Sequence, residues 1–268
     1  MPVSAIAAKL DMTGRRVLIT GAAGGLGTAF ARAFIDAGAT LLLADKNQTG
    51  LDQLRATLGG ATTTYVYDQS DVASIDYLVR ATGRVDILIN NAGMLLVKPI
   101  AETTPEEMRD LIMVDLVGPM VLTRLIGPAM VSQGGGVIIN VSSQLAFCGA
   151  EGRSIYAAAK AGLAQFTRSS AVEFGRQGVR IVAVAPGRLL TSMSTFLGKD
   201  EAAYKAGIAR GLQSRQVSHI VRQERARYLH CRPLRLSRER STSRSTIGRA
   251  QLQECERLAG RTRPQTSV

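Results

Sequence analysis

Between Arg16 and Val184, short apolar runs that favour strands alternate with stretches that favour helices. The runs are Arg16–Thr20 (RVLIT), Thr40–Ala44 (TLLLA), Thr63–Tyr67, Asp86–Ile89, Val137–Val141 and Arg180–Val184. An Ala/Phe-rich amphipathic stretch running to Ala37 follows the first run, and a polar helix is expected around Leu51–Leu58. Strands that are apolar at nearly every position fit burial on both faces, which is the condition of a parallel sheet. Parallel strands joined by helices cross over with right-handed chirality. The pattern predicts an α/β fold in three layers, a doubly wound parallel sheet with helices on both faces.

The first turn sharpens this. It reads Thr20-Gly21-Ala22-Ala23-Gly24-Gly25-Leu26-Gly27, between a strand and a helix. Glycines there permit a tight turn and let backbone amides approach a pyrophosphate at the positive end of the helix dipole. A strand–turn–helix of this kind marks a Rossmann-like dinucleotide site. The next strand ends at Asp45, roughly 20 residues on, where an acidic side chain accepts hydrogen bonds from the adenosine ribose hydroxyls. A carboxylate there repels a 2′-phosphate, and Gly24 offers no basic side chain, so NAD is expected over NADP. Lys46 pulls the other way, and an Asp that merely starts a loop fits the position as well.

A second constellation lies downstream. Tyr156 and Lys160 are four apart in the helix-favouring stretch YAAAKAGLAQF, which puts them on one helix face. A phenol with a pKa near 10 is a poor base at neutral pH, and a neighbouring ammonium favours the phenolate. Such a pair can move a proton to or from an alcohol or carbonyl oxygen. Ser143, just after the run Val137–Val141, is placed to hydrogen-bond the same oxygen.

With these residues together, the chain resembles the classical short-chain dehydrogenase/reductase family over residues 12 to about 200. The Gly-rich turn fits the family's T-G-x-x-x-G-x-G. Asn90-Asn91-Ala92-Gly93 fits its N-N-A-G, Ser143 with Tyr156 and Lys160 fits its Ser and Y-x-x-x-K, and Pro186-Gly187 with Thr191 fits its P-G-x-x-x-T. The resemblance implies a hydride-transferring oxidoreductase acting on a small secondary alcohol or ketone. In it Tyr156 is the general acid/base, Lys160 lowers the Tyr156 pKa and binds the nicotinamide ribose, and Ser143 polarises the substrate oxygen. It further implies cofactor contacts from Gly21, Gly24, Gly25, Leu26, Gly27 and Asp45. Asp68 and Gln69 fall beside the adenine, with Asp71-Val72 as a competing alignment. The backbone around Asn90, Asn91 and Ala92 lines the adenosine ribose, and Pro186, Gly187, Leu189 and Thr191 lie at the nicotinamide end. A homo-oligomer, dimer or tetramer, is the family's usual state.

Two departures stand out. Where family members usually carry an Asn in the helix segment Met113-Val114-Asp115-Leu116, this chain has Asp115. In the family that Asn helps hold a water in the proton relay. If its carbonyl does the holding, Asp is equivalent; if its amide matters, Asp115 removes a donor and adds negative charge near Lys160. The segment from Asp68 to Gly83 is about four residues shorter than usual, one helical turn. Leu95, Leu96, Gln144, Leu145, Phe147 and residues 191–197 are candidate substrate walls, mostly apolar, and Cys148 is expected to be a small buried residue.

The net charge of +12 divides unevenly. Residues 1–211 hold 20 basic and 17 acidic side chains; residues 212–268 hold 13 Arg, no Lys and four Glu. Two regions are therefore expected: a catalytic domain over 1–211 and an atypical Arg/Ser-rich tail over 212–268 in which the resemblance stops. An abrupt turn to Arg without Lys or Asp is what a reading-frame shift in a GC-rich gene produces; a divergent, partly disordered extension is the other reading. An Arg-rich nucleic-acid segment is disfavoured because Tyr228 is the tail's one aromatic residue. His219, His230, Cys231 and Cys255 lack the paired spacing of a zinc site, so no metal is expected. A tail lacking the family's last strand is expected to leave a bare sheet edge and to weaken assembly. The alternative to an active enzyme is a catalytically weak nucleotide-binding homologue. Three widely spaced Cys, no secretory leader pattern and no uninterrupted apolar run of membrane-spanning length lead to an expectation of a cytoplasmic protein outside the membrane.

Overall fold

Six strands form one parallel sheet: β1 Arg16–Thr20, β2 Thr40–Asp45, β3 Thr62–Val66, β4 Ile87–Asn90, β5 Gly136–Val141 and β6 Val179–Val184. The computed structural model describes residues 11–187. Leu189, Thr191, the wall segment 191–197 and the tail 212–268, with its His and Cys residues, lie outside the described residues. Strand order is β3-β2-β1-β4-β5-β6, every neighbouring pair parallel. This is the doubly wound order, and each expected strand lies within one residue of its observed bounds.

The period-two geometry of a strand explains how the sheet carries two cores. Val17 and Ile19 of β1 point to one face and Leu18 to the other, and β2 splits likewise into Leu41 and Leu43 against Leu42. Helices α1 (Gly25–Asp36) and α2 (Gln48–Leu58) cover the first face, burying Ala31, Leu51 and Leu54. Helix α3 (Val72–Thr82) covers the second, together with α5 (Gly118–Ser132), whose Leu122, Ile126 and Met130 are buried at helical spacing. The long helix α6 (Ser154–Gly175) closes that face beside α5, its Phe174 ring lying against Gly127. Asn47 and Asp71 cap α2 and α3 by accepting from Gly50 N and Ala73 N. The segment before Gly83 forms a helix whose buried face is Ile75, Leu78 and Thr82.

Helix α4 (Pro105–Ile112) begins with a capping box between Thr104 and Glu107. It runs through one π turn, Met113–Val117, directly into α5. The joined helix, Pro105–Ser132, has the length and mean hydropathy, 1.5, of a membrane span, a property that a scan for uninterrupted apolar runs passes over. Its apolar side chains are those that pack on the sheet.

Among the described residues β6 has no strand beyond it. On the α1/α2 face no helix among the described residues covers its end: Val137 and Ile139 are half-buried, while Val182 and Val184 are exposed. At the centre, one hydroxyl ties the ends of β1 and β4. Thr20 Oγ accepts from Asn91 N and Ala92 N, both at 3.0 Å, and donates to Ile89 O at 3.2 Å. Asn91 Nδ2 returns two bonds, to Thr20 O at 2.9 Å and Gly21 O at 3.0 Å. Replacing Thr20 by Val keeps the volume and strands the Ala92 amide, while Asn91 N keeps Ile89 O at 3.0 Å, so Thr20→Val is expected to lower stability by about 1–3 kcal/mol. Urea unfolding measures it; an unchanged midpoint would refute the role given to this hydroxyl.

Candidate active site

In a doubly wound sheet the ligand crevice lies at the carboxyl ends of the strands where the winding reverses, here between β1 and β4. The turn after β1 opens it. Gly21 has φ +62°, and a Cβ there would sit 2.7 Å from Ala92 Cα. Gly27 in the first turn of α1 lies on the turn's own backbone: a Cβ would strike Gly21 O and stand 2.8 Å from Ala22 Cα. Helix α1 has no side-chain cap at Gly24 and no acidic residue in its first turn. Its leading amides and dipole are therefore open to an anion, and the Gly24–Gly27 backbone is bare enough for close approach. Gly21, Gly24, Gly25, Leu26 and Gly27 thus fit a dinucleotide pyrophosphate.

Asp45 stands at the end of β2 with its carboxylate already engaged by two amides, Ala23 N to Oδ2 and Asn47 N to Oδ1, both at 3.0 Å. It therefore starts the loop and also braces the Gly-rich turn, leaving the remaining lone pairs for ribose hydroxyls. Asp68 is exposed and accepts from Ser70 N at 2.8 Å and Ser70 Oγ at 2.6 Å, bonds that hold its carboxyl below the usual range. Asp71 is committed to capping α3.

Gln69 has a different position from the one expected. Its side chain is buried: Oε1 accepts from the Tyr67 hydroxyl at 2.7 Å, while Nε2 donates to Ala92 O at 3.2 Å and to Val114 O. Instead of facing the adenine it braces the loop after β4 against a carbonyl of the π turn. Asn90 and Asn91 likewise turn their side chains inward. Asn90 Nδ2 donates to Asn140 Oδ1 at 2.8 Å, and Asn140 in turn donates to Thr167 Oγ at 2.8 Å. Only the backbone of this segment, with Ala92, is left to face the crevice.

The second constellation gathers beside it. Ser143 follows β5 and is nearly buried, and its hydroxyl, which accepts from Leu145 N at 3.2 Å, lies near enough to Tyr156 on α6 to pull the phenol pKa down. One turn on, Lys160 is 4% exposed. Its Nζ donates to Val141 O at 3.1 Å, lies 3.3 Å from Asp115 Oδ2, and stands 5.8 Å from the Tyr156 ring centre. Asp115 is fully buried in the π turn, and its Oδ1 accepts from Met94 N at 2.7 Å. Gly93 makes room: a Cβ there would come within 3.2 Å of Asp115 Oδ1 and 3.3 Å of Lys160 Nζ. Burial pushes the Asp115 carboxyl up, and Lys160 and the Met94 amide pull it back.

The expected lowering of the Tyr156 pKa by Lys160 is not what this arrangement produces. Burial raises the phenol above its ordinary value, and Asp115 raises it further; the downward pulls come from the Ser143 hydrogen bond and Arg153.

Pro186 O accepts from Gln144 N at 3.0 Å, which holds the Pro186–Gly187 segment over the turn that carries Ser143. Among the wall candidates Leu95, Leu96, Gln144 and Leu145 are half-buried and Phe147 is exposed. Cys148, expected to be buried, is exposed, because the chain leaves the core after the short turn Gln144–Ala146. Sequence reasoning missed Gly93, Met94, Val141 and Thr20 as parts of this site. Three of them act through the backbone, which leaves no residue-type signature.

A family model for short chain dehydrogenases matches residues 15–202. The chain belongs to the classical short-chain dehydrogenase/reductase family. D-threitol dehydrogenase from Mycolicibacterium smegmatis is 33% identical over 189 residues, 68% of this chain and 73% of that protein. A structure assigned as an NAD(P)-dependent gluconate 5-dehydrogenase from Beutenbergia cavernae, with bound NADP, is 32% identical with a TM-score of 0.68, covering 74% of this chain and 81% of that one. The 3-ketoacyl-(acyl-carrier-protein) reductase of Brucella melitensis, solved with NADH, is 30% identical with a TM-score of 0.67, covering 69% and 80%. This dehydrogenase/reductase is thus an oxidoreductase of alcohols and ketones from a family that binds a nicotinamide cofactor.

The closest backbone contact in the cradle gives its test. Gly27→Ala forces the first turn of α1 off the Gly21 carbonyl, an overpacking that costs about 1–3 kcal/mol or more. NADH fluorescence titration is expected to show binding weakened at least tenfold or lost. Wild-type affinity in a stable variant would remove Gly27 from the site.

Proposed function

We propose that this chain is an NAD-dependent dehydrogenase/reductase that interconverts a small secondary alcohol and its ketone, with Tyr156 as general acid/base. The observation that carries the reading is the convergence of Ser143, Tyr156 and Lys160 beside the uncapped N-terminus of α1 at the reversal of the sheet. The cofactor, when bound, supplies or takes the hydride. The Gly-rich turn would hold its pyrophosphate, Asp45 its adenosine ribose and Lys160 its nicotinamide ribose.

The protein's own part is proton transfer and charge stabilisation. In reduction the Tyr156 hydroxyl gives its proton to the carbonyl oxygen of the substrate, and the Ser143 hydroxyl donates a hydrogen bond to that oxygen as it gains charge. In oxidation Tyr156 takes the proton from the alcohol while Ser143 holds the same oxygen. Asp45 supports NAD over NADP, since a carboxylate at the ribose repels an added phosphate. The D-threitol dehydrogenase relative favours small polyhydroxylated alcohols as substrates. The half-buried Leu95, Leu96 and Leu145 with Gln144 would form a largely apolar wall carrying one polar contact. The widely spaced cysteines support a reducing, cytoplasmic setting.

Two measurements test this. NADH is expected to bind at least about tenfold more tightly than NADPH, a difference of about 1.4 kcal/mol, and Asp45→Ala to narrow the gap. Preference for NADPH would overturn the cofactor assignment. Tyr156→Phe is expected to cut turnover of a responsive polyol by about 10²–10⁴-fold while NADH still binds. Turnover that survives the substitution would remove Tyr156 from the proton transfer.

A further inference from the structure

The buried carboxylate beside Lys160 is a charged group at the site that the proposed reaction does not use. We propose that Asp115 competes with Tyr156 for the charge of Lys160, acting as a positioning residue that holds the ammonium against β5 and keeps the phenol protonated. Three contacts carry this. Lys160 Nζ is held by Val141 O at 3.1 Å and by Asp115 Oδ2 at 3.3 Å, and it reaches the Tyr156 ring only at 5.8 Å from its centre. Asp115 is itself locked by Met94 N at 2.7 Å, and both side chains are buried, so neither can turn to solvent.

With Asp115 ionised, its carboxylate 3.3 Å from Lys160 Nζ offsets the charge of the ammonium, so the pair presents no net positive charge to the phenol. The charged and titratable groups facing Tyr156 are then Asp115 from the π turn and Lys160 and Arg153 from α6, with the Ser143 hydroxyl from the turn after β5. Arg153 and Ser143 favour the phenolate, while burial and Asp115 oppose it and win. An Asn at position 115 keeps the shape and an acceptor for Met94 N but leaves Lys160 as an uncompensated buried cation. A phenolate nearby then becomes the favourable counter-charge.

The inference uses the role proposed for Tyr156 only where turnover is measured; ionisation of the apoprotein stands apart from it. The full chain has six Tyr and no Trp, so tyrosinate absorbance is read against a clean background, and subtracting the titration of Tyr156→Phe isolates one residue. In the wild type the Tyr156 midpoint is expected above the ordinary 10.0. In Asp115→Asn it is expected to fall by about one pH unit or more, with about tenfold more phenolate at a given pH below both midpoints. The acid limb of kcat for alcohol oxidation is expected to move down by the same interval, with KM for the alcohol unchanged. A wild-type midpoint at or below 10.0, or an unmoved midpoint in the folded Asn variant, overturns the proposal. If the Asn variant does not fold, Asp115→Ser takes its place in the same titration, with the same fall of the midpoint expected and an unmoved midpoint overturning the proposal. No turnover with any alcohol, beside a shifted midpoint, would sink the proposed function and leave this inference standing.

Discussion

Two opposite charges share the interior of this protein, and much of the site is arranged around them. Removing either partner of such a pair leaves a buried charge without its counter-charge, at about 3–5 kcal/mol. The surroundings show how the burial of Asp115 and Lys160 is made tolerable. A strand carbonyl accepts from Lys160 Nζ, a loop amide donates to Asp115 Oδ1, Asp115 Oδ2 has only the ammonium beside it, and a glycine at position 93 leaves them space. The π turn moves Asp115 into line, and Gln69 satisfies the Val114 carbonyl of that turn. Ser142 Oγ donates to Lys160 O at 2.9 Å and so fixes the helix end of the same arrangement. The loop after β4, the π turn, β5 and α6 are held in mutual position by this one buried contact.

The sheet was legible because parallel strands buried on both faces can hardly be anything but apolar, and six such runs stood out with helical text between them. The Gly-rich turn was legible for a different reason: Gly21 and Gly27 sit where a Cβ would meet backbone, so no other residue fits. Tyr156, Lys160 and Ser143 were found by spacing and family pattern. What stayed hidden was direction. Gln69, Asn90 and Asn91 are polar residues at a ligand-binding edge, yet their side chains point inward to satisfy neighbouring polar groups. Nothing in residue type separates a bracing amide from a ligand-binding one. The π turn was equally silent, since Met113–Val117 has the composition of ordinary helix. That the Tyr156 phenol is raised depends on its burial and on the nearby Asp115, which spacing alone could not supply.

The two faces of the sheet are finished differently. One is covered across its width by α3, α5 and α6, and Ile138, Val179 and Ile181 at its far side are buried. The other is covered by α1 and α2 over β1 to β3, and among the described residues no helix lies over β6, where Val182 is 47% exposed. The family match ends at residue 202, and the split in charge along the sequence begins close by.

The pairing of β1 with β4 joins Val17 to Ile87, and Asp86 Oδ2 accepts from Arg16 N across 70 residues of sequence. Closing a flexible loop of that length costs on the order of 4 kcal/mol in chain entropy. The Thr20 and Asn91 hydrogen bonds hold the loop shut at the mouth of the crevice. A molecule that bridges the turn after β1 and the segment after β4 therefore acts as a non-covalent cross-link on the longest closure in the sheet. Its binding energy is spent partly on keeping the two halves of the sheet together, and occupancy of the site and integrity of the fold become one equilibrium.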